Sequence, residues 1–225
     1  MGLVLSFGVY FKCHTLLEHP ENRAVLRTCK VLPRRTVSKK TDKISLQSKY
    51  HVQVACLKTQ HREILGDHSG FGLKLTLKDG GDKFVLCDSG DSAYASEIAE
   101  QFDGADLLIL HVGTLEKLPG KPSDRGEHLC FHGVVQTLQK LAKQPKKPKL
   151  VLLSEWGQEF HEPGLRLRFA ELVRKHAGLG VPILPADLGM KVRIPECTVN
   201  CTGTDNYVAA DRIRVVDYGA YLRYH

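Results

Sequence analysis

The stretch KFVLCDSGDSAY, Lys83 to Tyr94, is apolar through Phe84, Val85, Leu86 and Cys87, then halts on Asp88, Ser89, Gly90, Asp91 and Ser92. A short apolar run bounded by turn residues reads as a buried strand. Two carboxylates at the end of such a strand need partners, because an uncompensated buried charge is costly. The stretch predicts a strand whose C-terminal end opens on a polar, functional rim.

Upstream, YHVQVACLKT sets Val52, Val54 and Cys56 at period two, and GFGLKLTLKDGG repeats the pattern with Phe71, Leu73, Leu75 and Leu77. The DGG that follows predicts a hairpin turn into the Lys83 strand. Downstream, Ser92 is expected to cap a helix running through Phe102. ADLLILHV is a continuous apolar run, as in a strand buried on both faces. A Gly- and Pro-rich loop (113–126) then leads to a helix from about His128 to Lys143. Phe131, Val134, Val135, Leu138 and Leu141 form its apolar stripe. PKLVLLS is another buried strand, and a helix is expected from about Leu165 to His176. Strands near VPILPA, MKVRI and RIRVVD complete the chain, and residues 1 to 12 read as an opening strand. PRRTVSKKTDK, Pro33 to Lys43, reads as an exposed loop or short connection. The order predicts one layered α/β domain with function at the strand ends.

The 225 residues carry a formal charge of +7 with a pI near 9.0, alongside ordinary hydrophobic (42%) and charged (25%) fractions. The charge favours anionic partners without requiring them. The seven cysteines are an odd number, mostly scattered singly, which fits a reducing compartment better than a disulfide framework. Cys197 and Cys201 lack a matching second pair and read as free thiols near a surface loop. MGLVLSFGVYF is apolar for too few residues to span a membrane. No membrane association is expected, and the expected location is cytoplasmic.

The strand ends gather groups that bind metals or move protons. TQHREILGDH contributes His61, the Lys83 strand contributes Asp88 and Asp91, LILHVG contributes His111, and LLSEWG contributes Ser154 and Glu155. His128 and His132 stand at the start of the following helix. Imidazole with carboxylate is the ligand set of zinc, manganese or iron.

FVLCDSGDSAY, with TQHREILGDHSGFGLKL, ADLLILHVGT, EHLCFHGVV, PKLVLLSEWGQEF and PADLGMKV, resembles the ordered blocks of the metallo-β-lactamase fold, over roughly residues 22–194. That resemblance implies an αββα sandwich with one or two Zn2+ (or Mn2+ or Fe2+) ions at one edge. It implies metal ligands at His61 and Asp91, with Glu155 as a substitute ligand or site-lining residue where many relatives carry histidine. His128 matches a histidine that acts on the scissile group, and His111 is a further catalytic candidate. The implied function is metal-dependent hydrolysis of a phosphodiester or another ester or amide.

The departure from the family lies in the missing His-x-His-x-Asp-His motif. CHTLLEHPE supplies His14, Glu18 and His19, either a degenerate remnant or a coincidence at an exposed turn. The expectation is a single domain, 1–225, with a shortened N-terminal half, a recognisable core over 22–194 and a C-terminal extension over 195–225. The alternative function is a catalytically degenerate binding or assembly module, since a pared-down sandwich exposes an apolar sheet face that seeks a partner or a second copy. Nucleic-acid binding by charge ranks last, because Lys143 to Lys149 is most simply a solvated connection. Locally, Asp88 is expected to accept backbone hydrogen bonds in its turn. His111 is read as either a site residue or a satisfied core histidine, His132 as a helix-face residue, and Trp156 as packing beside the site. His68 follows Asp67 in a loop and is not counted among the site residues.

Overall fold

A computed structural model describes residues 2–6, 30–34, 43–45, 53–63, 66–67, 71–79, 81–115, 128–186, 190–200 and 207–213. The strands in chain order are β1 (Gly2–Ser6), β2 (Lys30–Arg34), β3 (Lys43–Ser45), β4 (Gln53–Lys58), β5 (Arg62–Glu63), β6 (Gly66–Asp67), β7 (Phe71–Asp79), β8 (Asp82–Asp88), β9 (Leu107–His111), β10 (Leu150–Ser154), β11 (Ile183–Pro185), β12 (Lys191–Arg193), β13 (Thr198–Asn200) and β14 (Val208–Ala209). The helices are α1 (Ser96–Glu100), α2 (Phe131–Ala142) and α3 (Pro163–Ala177).

Among the described residues, seven strands form one sheet in the order β11-β10-β9-β8-β7-β4-β3. β8 to β11 run parallel, while β3, β4 and β7 join antiparallel through the hairpin that pairs Asp79 with Asp82. Alternation along the strands feeds two cores. Val85, Cys87, Leu108, Leu110, Val151 and Leu153 point at the helices, where Ile98, Phe102, Val134, Leu138, Leu141, Phe169 and Val173 meet them. Phe84, Leu107, Leu150, Leu152 and Leu184 point the other way, onto Cys197 and Val199 of the small β12-β13-β14 sheet region and onto Ala210. The helix–sheet–sheet layering explains why β8, β9 and β10 read as unbroken apolar runs. The second apolar face is therefore covered in part by Cys197, Val199 and Ala210, with Met190, Val192 and Ile213 beside them. Burial pushes the Cys87 thiol up to about 11, so it serves as a small hydrophobe.

Several local expectations need correction. Ser92 does not cap α1: the cap position is Ala95, with no side-chain bond, and the Ser92 hydroxyl instead accepts from the Gln60 amide at 2.8 Å. The next helix, α2, starts at Phe131 and not at His128. Leu129 is held extended by a parallel bridge to Val112, and its carbonyl accepts from Gly113 N–H. Pro33 and Arg34 close β2 and Lys43 opens β3, so the predicted loop is flanked by strand on both sides. Cys197 is buried beneath the small sheet, not near the surface. Asp106, unremarked in the sequence, is a buried carboxylate. It accepts from Val85 N–H at 2.8 Å and pairs with Lys146 Nζ at 2.8 Å, so the lysine-rich connection carries a structural ion pair. His14, Glu18, His19, Cys201 and the Arg214–Asp217 part of the last predicted strand lie outside the described residues, as does the side chain of His68.

Candidate metal centre

The parallel strands deliver their polar ends to one rim. Asp88 closes β8, His111 closes β9 and Ser154 closes β10, with His111 and Ser154 paired in register. His111 continues the row of Leu107 and Ile109, so it emerges on the face away from the helices.

The loop after β4 is tied to the loop after β8. Gln60 N–H donates to Ser92 Oγ, and Ala93 N–H donates to the Gln60 carbonyl at 2.9 Å. The tie brings His61 beside Asp91. His128 arrives from the opposite side, on the extended segment before α2, and its ring centroid lies 5.0 Å from that of His61.

Glycines make the third approach possible. A Cβ on Gly113 would sit 2.3 Å from the Cβ of His128, and a Cβ on Gly157 would sit 1.8 Å from the Gly113 carbonyl oxygen. The loops after β9 and β10 thus stack directly behind His128. On the far side, a Cβ on Gly72 would strike the carbonyls of Asp88 and Ser89, so β7 can lie close against the turn that presents Asp91.

One donor atom from each of His61, Asp91 and His128 lies within 4.8 Å of the others. Two donors bound to one ion at about 2.1 Å each are at most about 4.2 Å apart, so the group needs to tighten by little to hold a cation. Two imidazoles and a carboxylate also match the donor preference of zinc and its neighbours. The residues present fit a divalent ion.

The electrostatics centre on Asp91. His111 Nε2 lies 3.0 Å from Asp88 Oδ1, and its Nδ1 lies 3.4 Å from Asp91 Oδ1; His128 Nδ1 is 3.7 Å from that same oxygen. Bonds from His111 and then His128 hold the Asp91 carboxyl well below the usual carboxylate range. Burial opposes charge on His111, but its bonds to Asp88 and Asp91 outweigh that and raise its pKa to about 9. Asp88 also accepts from Gly90 N–H at 2.8 Å, the expected turn bond.

His61, Asp91 and His128 thus converge, the last named from the sequence as catalytic and not as a ligand, with His111 touching Asp91 from outside the group. Glu155 does not join: it is exposed, and among the described residues its carboxylate belongs to no cluster of three donors. Its backbone is nonetheless left-handed, with φ of 52°, a conformation costing about 1–2 kcal/mol for a residue other than glycine. His132 is exposed on α2. Trp156 packs against Phe160 and Phe169 and donates its Nε1–H to the Ala186 carbonyl, beside the rim as expected. The sequence did not reveal Gly113, Gly157 or Gln60 as parts of the site. A glycine after each strand end was the available signal.

Among solved structures, the short form of human tRNase Z is similar over 86% of this chain and 68% of its own, at 15% identity and a TM-score of 0.51. A long-form RNase Z from yeast matches 72% of this chain and 24% of its own, at 15% identity and a TM-score of 0.51.

The chain has the metallo-β-lactamase fold.

The metallo-β-lactamase fold protein YhfI from Bacillus subtilis is similar over 83% of this chain, at 13% identity and a TM-score of 0.49. The chain spans 63% of the length of YhfI and 24% of the yeast enzyme. No protein-family model matches the sequence, and no curated protein matches it.

Proposed function

We propose that this metallo-β-lactamase-fold chain is a metal-dependent hydrolase acting on an ester-type substrate. The observation that carries the reading is the convergence of His61, Asp91 and His128 at the strand ends. Those three side chains hold the cation, for which zinc fits the donor set, with manganese or iron as alternatives. When bound, the ion supplies a Lewis acid that polarises the scissile bond and acidifies water toward neutrality. Asp91 provides the negative charge that the cation needs, and His61 and His128 flank it from opposite loops. The net charge of +7 favours an anionic substrate, of which a phosphodiester is the hydrolysable example to test first. The described cysteines form no disulfide with one another, which supports work in a reducing compartment such as the cytoplasm.

A second reading, a degenerate member serving as a binding or assembly module, is favoured by one observation: Glu155, at the position where relatives supply a ligand, stands exposed outside the donor group.

Elemental analysis of protein purified with its metals intact separates the two. The hydrolase reading expects close to one or two ions per chain, lost in Asp91→Ala together with cleavage of a chromogenic phosphodiester. Less than about 0.1 ion per chain, unchanged by that substitution, contradicts it.

A further inference from the structure

We propose that His111 is a positioning residue: it clamps Asp91 for the cation while supplying no ligand atom of its own. The inference rests on the reading that His61, Asp91 and His128 hold the ion. His111 is absent from the group of donors that converge there. Both of its ring nitrogens face carboxylates, Nε2 toward Asp88 Oδ1 at 3.0 Å and Nδ1 toward Asp91 Oδ1 at 3.4 Å. Both ring nitrogens are thereby taken up by carboxylate oxygens, and His111 contributes no atom to the convergent donors.

The clamp is anchored at every joint. The backbone N–H of His111 donates to Ser89 Oγ at 3.0 Å, and Ser89 N–H donates to the Ile109 carbonyl at 2.9 Å, stapling the β8 and β9 ends together. Ser89 is itself buried. Asp88, the far partner of the ring, is fixed by Gly90 N–H at 2.8 Å. A continuous chain of bonds runs from Gly90 through Asp88 and His111 to Asp91. Asp91 needs such a chain, because its side chain is 50% exposed and would otherwise lose rotamer freedom on binding a cation. Partners of this kind behind a ligating group contribute about 10- to 100-fold to metal affinity.

Cobalt(II) titration reads the proposal directly, since the visible bands of the ion report its ligand set. His111→Ala should weaken cobalt binding about 10- to 100-fold, His111→Gln should recover part of the loss, and band positions at saturation should match those of the unsubstituted protein. Asp88→Ala, which leaves the ring in place and removes its far anchor, should also weaken binding with unchanged bands, and it keeps the test alive if His111→Ala does not fold. Affinity within about threefold of the unsubstituted protein in all three variants overturns the proposal, and so do bands that shift in both His111 variants, because a ligand has then been lost. Failure of the unsubstituted protein to take up cobalt overturns the cation reading itself and this proposal with it.

Discussion

Gln60 and Ser92 are bound to each other across two loops, the amide of one donating to the hydroxyl of the other at 2.8 Å, with the Gln60 carbonyl accepting in return from Ala93. Their strands, β4 and β8, are not neighbours, since β7 lies between them. The tie therefore decides that His61 reaches Asp91. Ser92 is 1% exposed, and Ser92→Ala removes the acceptor of the part-buried Gln60 N–H. It should lower stability by about 1–3 kcal/mol in urea denaturation and weaken cation binding as well. Unchanged binding would mean that His61 is held by something else.

Gly157 has an ordinary backbone, with φ of −64°, so its need for glycine is steric alone. A methyl group there would lie 1.8 Å from the Gly113 carbonyl oxygen, and Gly113 in turn backs His128. Gly157→Ala should cost about 1–3 kcal/mol in thermal or urea unfolding, through the backbone shift that overpacking forces. It should also weaken cation binding, although residue 157 offers no ligand. Gly164, with open space around its Cα, is the control: Gly164→Ala should leave both quantities in place.

Without its cation, the site makes stability depend on pH at both ends. The folded pKa of His111 is raised from 6.5 to about 9, so the protonated ring favours the fold. That contribution is complete below about pH 6.5 and is lost as pH rises through about 9. Asp91 is shifted the other way, from 3.8 downward, so its contribution is present above about pH 4 and is lost as pH falls. In chelator-treated protein, the urea midpoint of the unsubstituted chain should exceed that of His111→Gln most between about pH 4 and 6.5. The gap should narrow toward pH 9. A gap that stays constant to pH 9 contradicts the arrangement.

Much of the architecture was legible because periodicity carries it. The alternation of Leu73, Leu75 and Leu77, the hairpin at Asp79 to Asp82, the unbroken apolar runs of β9 and β10 and the stripe of α2 all correspond to what the fold buries. The rim was legible too, since a polar residue ending an apolar strand announces an open end. Tertiary partners were not. Ser92 carries a local capping signal, but the hydroxyl bonds to a residue in another loop. Asp106 sits inside the ADLLILHV run with nothing in the sequence to name its partners, yet it is buried on the Val85 amide and Lys146. β13 is three residues long, too short for any period to show. At the site, His61, Asp91 and His128 could be named from residue type and strand-end position, whereas the double engagement of His111 depends on distances that no spacing encodes. Glu155 was named, by resemblance, as a substitute ligand or a site-lining residue; its side chain is exposed and is not one of the three convergent donors.

X-ray absorption at the zinc edge of protein loaded with one equivalent tests the central claim most directly. If His61, Asp91 and His128 hold the ion, the spectrum should show nitrogen and oxygen neighbours at about 2.0–2.2 Å with the outer-shell scattering of two imidazoles. Asp91→Ala should then abolish stoichiometric loading. A first shell containing sulfur, or one without imidazole scattering, would contradict the account.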